Sequence, residues 1–121
     1  MKFSQEPLDA HWRIDRYESG EIIINGQSHK KSVLIHKDFM SDWSVISFDQ
    51  VTPEILKKLN QRNPEVILIG TGDKIILPSR ELLDFSQVAQ IGLEIMPTRQ
   101  ACRTYNLMAQ DDRNVLVALI V

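Results

Sequence analysis

Apolar positions first fall into register at Ile14, where short runs of alternating or continuous apolar residues are separated by Gly, Asn and Ser. This pattern predicts strands at Ile14 to Tyr17, Glu21 to Ile24 and Val33 to His36, with a turn at Ser19-Gly20. The dipeptide Asn25-Gly26 tolerates the positive φ of tight hairpin turns. It therefore predicts antiparallel pairing of Ile22-Ile23-Ile24 with Ser32-Val33-Leu34-Ile35, an N-terminal β-meander.

The period changes in the second part of the chain. Trp43 to Phe48 reads as a strand, and Thr52-Pro53-Glu54 supplies an N-cap, a first-turn proline and an acid on the helix dipole for a helix over Pro53 to Asn60. Asn63-Pro64 stops that helix. Glu65 to Ile69 is the continuous apolar run of a strand covered on both faces. After Gly70-Thr71-Gly72 comes an extended piece, Lys74 to Leu77. Ser79 then caps a helix running to about Gln90, with Gly92 as its stop. Leu93 to Met96 is the next strand, Thr98 opens a helix from Arg99 to about Gln110, and Asn114 to Val121 is the last strand. Strand and helix alternating with short joints implies parallel pairing through right-handed crossovers. The fold class is α/β: an antiparallel meander, then a parallel βαβ part, with two layers of sheet and helices on one outer face. Residues 1–12, polar and broken by Pro7, read as a mobile arm whose Trp12 tucks onto the domain; residues 13–121 read as a single domain.

Composition narrows the function classes. The chain has 121 residues, 43% hydrophobic and 25% charged, enough for one core. Fourteen basic against sixteen acidic residues give a formal charge of -2, so nothing global draws the chain to nucleic acid. The longest apolar run, Val115 to Val121, is far short of the roughly 20 residues a membrane helix needs, and no membrane insertion is expected. The first residues are acidic where a targeting peptide would be basic and apolar, so a cytoplasmic location is expected. A single cysteine, Cys102, excludes an internal disulfide and suits a reducing compartment. His11, His29 and His36 have no metal-ligand spacing, so no metal and no cofactor are expected.

In open parallel sheets ligands gather at the carboxyl ends of strands. Here those ends are Gly70-Thr71-Gly72 and Met96-Pro97-Thr98, and parallel pairing places both on one edge. A cleft there would be lined by backbone N–H groups of Gly70, Thr71 and Gly72, the Thr98 hydroxyl, Arg99, Cys102 and Arg103, a receptor for a small anion. The competing reading makes the glycines a tight turn, Thr98 a helix cap and both arginines solvated. A dinucleotide fingerprint fails because the third glycine position is Ile75, and a phosphate loop fails because Lys74 follows Asp73. Cys102, with Arg99 and Arg103 near it, is the one candidate nucleophile, through a lowered thiol pKa; no histidine is brought near it, and a small buried side chain is the competing role. Tyr105 and Asn106 near mid-helix point to side-chain hydrogen bonds. Arg103 has an alternative structural role, buried and paired with Asp112 or Asp73, and Arg113 is placed to reach a neighbouring carboxylate.

Leu68-Ile69-Gly70-Thr71-Gly72, Gly92-Leu93-Glu94-Ile95-Met96, Thr98, Ala101-Cys102-Arg103-Thr104-Tyr105-Asn106 and Asp112-Arg113-Asn114-Val115 together resemble a domain-of-unknown-function, MTH-domain-like family. That family includes the mitochondrial respiratory complex I assembly factor 3 and the adipogenesis-associated MTH-domain protein. The resemblance covers nearly the whole chain and is strongest from residue 65 onward. It implies a three-layer β/β/α fold, no established catalytic activity and, for the mitochondrial members, assembly of complex I through protein contacts. Gly70, Thr71, Gly72, Thr98, Arg103, Tyr105 and Asn106 match the motif positions.

The leading expectation is a non-enzymatic cytoplasmic module that binds a protein partner. The alternative is a binder of, or enzyme acting on, a small anion at the Gly70–Gly72 loop and the Thr98 helix N-terminus. A third is a homo-oligomer paired through an exposed edge strand, Val33 to His36.

Overall fold

A computed structural model describes residues 12–121. Apart from Trp12, which packs against the core, the expected arm lies outside the described residues. Strands β1 (Ile14–Glu18), β2 (Glu21–Ile24) and β3 (Gln27–His29) form a three-stranded antiparallel sheet. Strands β4 (Val33–His36), β5 (Phe39–Asp42), β6 (Val66–Gly70), β7 (Leu93–Met96) and β8 (Val115–Leu119) form a five-stranded sheet in the order β5-β4-β8-β6-β7. Helices α1 (Pro53–Leu59), α2 (Arg80–Val88) and α3 (Thr98–Gln110) complete a three-layer β/β/α arrangement.

The large sheet is apolar on both faces, and its central strands show why. On β6, Val66 and Leu68 join Val115, Val117 and Leu119 of β8 in a core with Ile14, Tyr17, Ile22 and Ile24 of the small sheet and Ala101, Cys102 and Tyr105 of α3. Ile67 and Ile69 join Leu116, Ala118 and Ile120 on the other face, against Leu56 and Leu59 of α1 and Leu82 of α2. Period-two alternation sends successive residues to opposite faces, so a strand covered on both must be apolar throughout.

The helices do not share one outer face as expected. β6 leads through α2 to β7 on one side, and β7 leads back through α3 to β8 on the other side of β6, both in parallel register. Crossovers of one hand that run in opposite directions along a sheet place their helices on opposite faces. α3 therefore lies beside the small sheet, where it packs on β1.

Four local expectations are corrected. The Asn25-Gly26 turn pairs β2 with Gln27–His29, not with Ser32 to Ile35, because a two-residue hairpin returns the chain at once. Val33–His36 is interior in the large sheet, between β5 and β8, so it offers no edge for a symmetry mate. Trp43 to Phe48 is not a strand, although Trp43 and Val45 are buried and Ser44 and Ile46 exposed. Its alternation finds no ladder: Trp43 N–H bonds Ser32 O at 2.8 Å, and Ile46 N–H donates to the Gln50 side chain at 2.8 Å. Both expected helix caps in the middle of the chain form, with Thr52 Oγ1 accepting from Ile55 N–H and Ser79 Oγ from Leu82 N–H. Lys74 to Leu77 joins no sheet, and α2 is stopped by Gln90 in a left-handed conformation (φ 57°) rather than by Gly92. Gly92 instead lies so close to Glu65 that a Cβ there would come within 2.5 Å of its carbonyl oxygen.

Candidate functional site

Parallel pairing does bring the Gly70 loop and the start of α3 together, and the contact is closed. Thr71 N–H donates to Met96 O at 2.9 Å, Thr98 N–H to Gly72 O at 2.9 Å and Ile120 N–H to Gly70 O at 3.0 Å. The Thr98 hydroxyl accepts from Gly72 N–H at 2.8 Å and donates to Ile120 O at 2.6 Å. Thr98 is fully buried and is the first residue of α3 rather than its cap, the cap position being Pro97. Its hydroxyl ties together the carboxyl ends of β6, β7 and β8. The Thr71 hydroxyl turns back to Lys74 O at 2.6 Å, which fixes the loop's exit. The N–H groups of Thr71 and Gly72 that an anion would need are engaged within the chain.

One residue further on, Asp73 joins the loop to the small sheet. Its carboxylate accepts from Ser19 Oγ at 2.6 Å and from the Tyr17 hydroxyl at 2.9 Å. Those two hydrogen bonds, Ser19 first, hold Asp73 below its ordinary carboxylate value. Tyr17 moves the other way: burial, then its bond to Asp73, pushes the phenol up to about 12. The Arg99 guanidinium lies 5.6 Å from the Tyr17 ring centre, within cation–π range.

Asn106 carries the hydrogen bonds expected at mid-helix. Its amide oxygen accepts from Ile14 N–H at 3.1 Å and its amide nitrogen donates to Ile14 O at 2.8 Å, so one side chain pairs β1 with α3 as a strand neighbour would. Tyr105 does not: its hydroxyl is buried with no partner among the described residues, and burial pushes it up to about 12. Cys102 is buried too. Burial drives its thiol up to about 12 against the pull of Arg99, which corrects the expected thiolate: desolvation outweighs the neighbouring charge. Arg103 is exposed, not buried, and Asp73 is taken by Tyr17 and Ser19, so the expected structural pair does not form. Arg113 does reach a carboxylate, Glu65 at 3.1 Å. Among the described residues no three His, Cys, Asp or Glu side chains converge as metal ligands.

The sequence profile of the family described as "Protein of unknown function (DUF498/DUF598)" matches residues 14–120. The chain belongs to the DUF498/DUF598 family. A relative from Francisella tularensis called "13 kDa major membrane protein" is 28% identical, the match covering 99% of each chain. The Xenopus tropicalis NADH dehydrogenase (ubiquinone) 1 alpha subcomplex assembly factor 3 is 28% identical over 88% of this chain, which spans 60% of that protein's length. Among solved structures, one from Xanthomonas campestris is 33% identical with a TM-score of 0.83, covering 100% of this chain and 92% of that one. A Bordetella pertussis protein described as an Mth938-like domain is 26% identical with a TM-score of 0.77, covering 99% and 92%.

Within this DUF498/DUF598 fold, sequence reasoning missed Tyr17 and Arg16, and it paired Asp73 with Arg103 where the structure pairs it with Tyr17 and Ser19. Tyr17 lies far from the loop in sequence, and only the fold brings it to Asp73, just as only the packing of β1 on α3 brings Arg16 beside the helix. Arg16, Arg99, Arg103, Cys102 and Asn106 line a shared hollow of about 350 Å³ between those two elements. No helix among the described residues of this DUF498/DUF598 chain is long and apolar enough to cross a membrane.

Proposed function

We propose that this chain is a non-enzymatic, cytoplasmic protein-binding module, one domain over residues 13–121, that serves the assembly of a larger complex. The observation that carries this reading is the segment Ile75-Ile76-Leu77, whose residues are 78%, 39% and 84% exposed. It belongs to no helix or sheet, and among the described residues no hydrogen bond reaches its backbone. Beside it, Phe48, Val51, Pro53 and Leu82 line a hollow of about 570 Å³ together with Ile76 and Leu77. Adjacent aliphatic side chains held in water are unfavourable unless a partner covers them, and a segment with free N–H and C=O groups suits pairing with a partner's strand. The assembly-factor relatives support a protein partner, and the engaged donors of the Gly70–Gly72 loop favour it over an anion at that loop.

The test is affinity capture with wild type and an Ile75→Ser, Ile76→Ser, Leu77→Ser variant, matched by thermal melts. One protein retained stoichiometrically by wild type and lost by a variant that melts normally is the expected result. Equal retention by both, or metabolite turnover by the purified chain, would overturn the reading.

A further inference from the structure

We propose that the groove between β1 and α3 is a binding site for a small polyvalent oxyanion, a di- or tricarboxylate or a phosphate, held by Arg16, Arg99 and Arg103. Arg99 and Arg103 stand four residues apart on α3 and so project from one helix face about 5–6 Å apart at Cβ. Arg16 of β1 lines the same hollow of about 350 Å³, within the size range of small-ligand sites. Arg99 lies over the Tyr17 ring, and Cys102 and Asn106, the latter held by Ile14, complete the lining.

The acids near these arginines make their close contacts with other groups, although the Asp73 charge still acts on Arg99. Asp15 pairs with Arg13 at 2.6 Å and accepts from Gly26 N–H at 2.8 Å, while Asp73 accepts from Tyr17 and Ser19. Among the described residues neither Arg16, Arg99 nor Arg103 forms an ion pair, and Glu18 is the remaining carboxylate in the lining. This gives a cationic groove on a chain whose formal charge is -2. The placement also runs against the helix dipole, because α3 has Arg99 and no acid in its first turn, where negative charge is favoured. A bound oxyanion resolves both conflicts through charge-assisted hydrogen bonds to guanidinium groups.

The proposal is independent of the Ile75–Leu77 segment and is tested separately. Citrate and inorganic pyrophosphate are titrated into the isotope-labelled protein at low ionic strength, with acetate as the monovalent comparison, and backbone amide shifts are followed by NMR. Saturable shifts confined to residues 14–18 and 98–106, at least one polyvalent probe binding more tightly than acetate, are expected. An Arg16→Gln, Arg103→Gln variant is expected to bind about tenfold or more weakly with an unchanged melt, since hydrogen bonds to charged groups are each worth that much. A Lys57→Gln, Lys58→Gln variant, which changes net charge equally, is expected to bind as wild type. Absent saturation, shifts elsewhere, or equal weakening in both variants would overturn the assignment.

Discussion

Gly70 and Thr98 are in such close contact that a methyl group on Gly70 would lie 2.7 Å from Thr98 Oγ1 and 2.8 Å from its Cα. The second of these atoms is backbone and cannot swing away. The end of β6 and the start of α3 are thus fitted to each other with no room for a side chain between them. Gly70→Ala is expected to cost about 2–3 kcal/mol, in the range for overpacking a well-filled core. Urea unfolding measures it, and a loss of only a few tenths would show that α3 can shift outward freely.

The hydroxyl of Thr98 is the second half of this junction. Thr98→Val keeps the shape and removes both the acceptor for Gly72 N–H and the donor to Ile120 O. Two buried backbone groups then lack partners, at a cost of about 2–4 kcal/mol. Thr98→Ser retains both bonds and is expected to recover most of that loss. If valine proved as stable as serine at this position, the hydroxyl would have no part in holding the three strand ends.

How much of this was legible follows from the range of each interaction. The thoroughly apolar run of β6, the caps at Thr52 and Ser79, and the alternation of strand and helix are local, and the sequence displays them. The closeness of the Gly70 loop to Thr98 was also legible, because parallel strands bring their carboxyl ends to one edge. That the contact is closed was not, since it depends on an ångström-scale fit between loop and helix. The partner of β2 was misread because Gln27-Ser28-His29 is polar and carries no strand signal, while Val33-Leu34-Ile35 advertises one that β8 uses instead. Asn106 was read as a hydrogen-bonding residue, but its partner Ile14 is 92 positions away and has no mark in the sequence. Arg16 stayed invisible for the same reason.

Asp73 and Tyr17 predict opposite limbs of the stability profile. The hydrogen bonds from Ser19 and Tyr17 hold the folded carboxyl below its ordinary value of 3.8, so the folded state binds that proton less tightly than the unfolded chain. Its contribution is present above pH 3.8 and fades as pH falls through the depressed folded value. The Tyr17 phenol is raised from 10.0 to about 12, so its contribution is complete below pH 10.0 and is lost as pH rises through about 12. Asp73→Asn is expected to make the acid limb of the unfolding midpoint plotted against pH shallower, and Tyr17→Phe to lessen the alkaline limb, which Cys102 and Tyr105 also shape. An acid limb unchanged in Asp73→Asn would mean that the carboxylate gains nothing from its two donors in solution.

Cys102 decides whether the β1–α3 groove has a nucleophile. Burial raises its thiol from 9.0 to about 12, and Arg99 offsets only part of the rise. At pH 8 a thiol of that kind is thiolate in roughly one molecule in 10⁴, against about a quarter of molecules for an unperturbed cysteine. Labelling by a thiol reagent is therefore expected to be slower than in the unfolded chain by roughly a thousandfold or more, and to accelerate in urea in step with unfolding. Arg99→Gln is expected to slow it further, because it removes the one nearby charge that favours the thiolate. Rapid labelling of the native protein, insensitive to urea, would show instead that Cys102 is accessible and activated, and the groove would then have to be treated as a reaction site rather than a binding site.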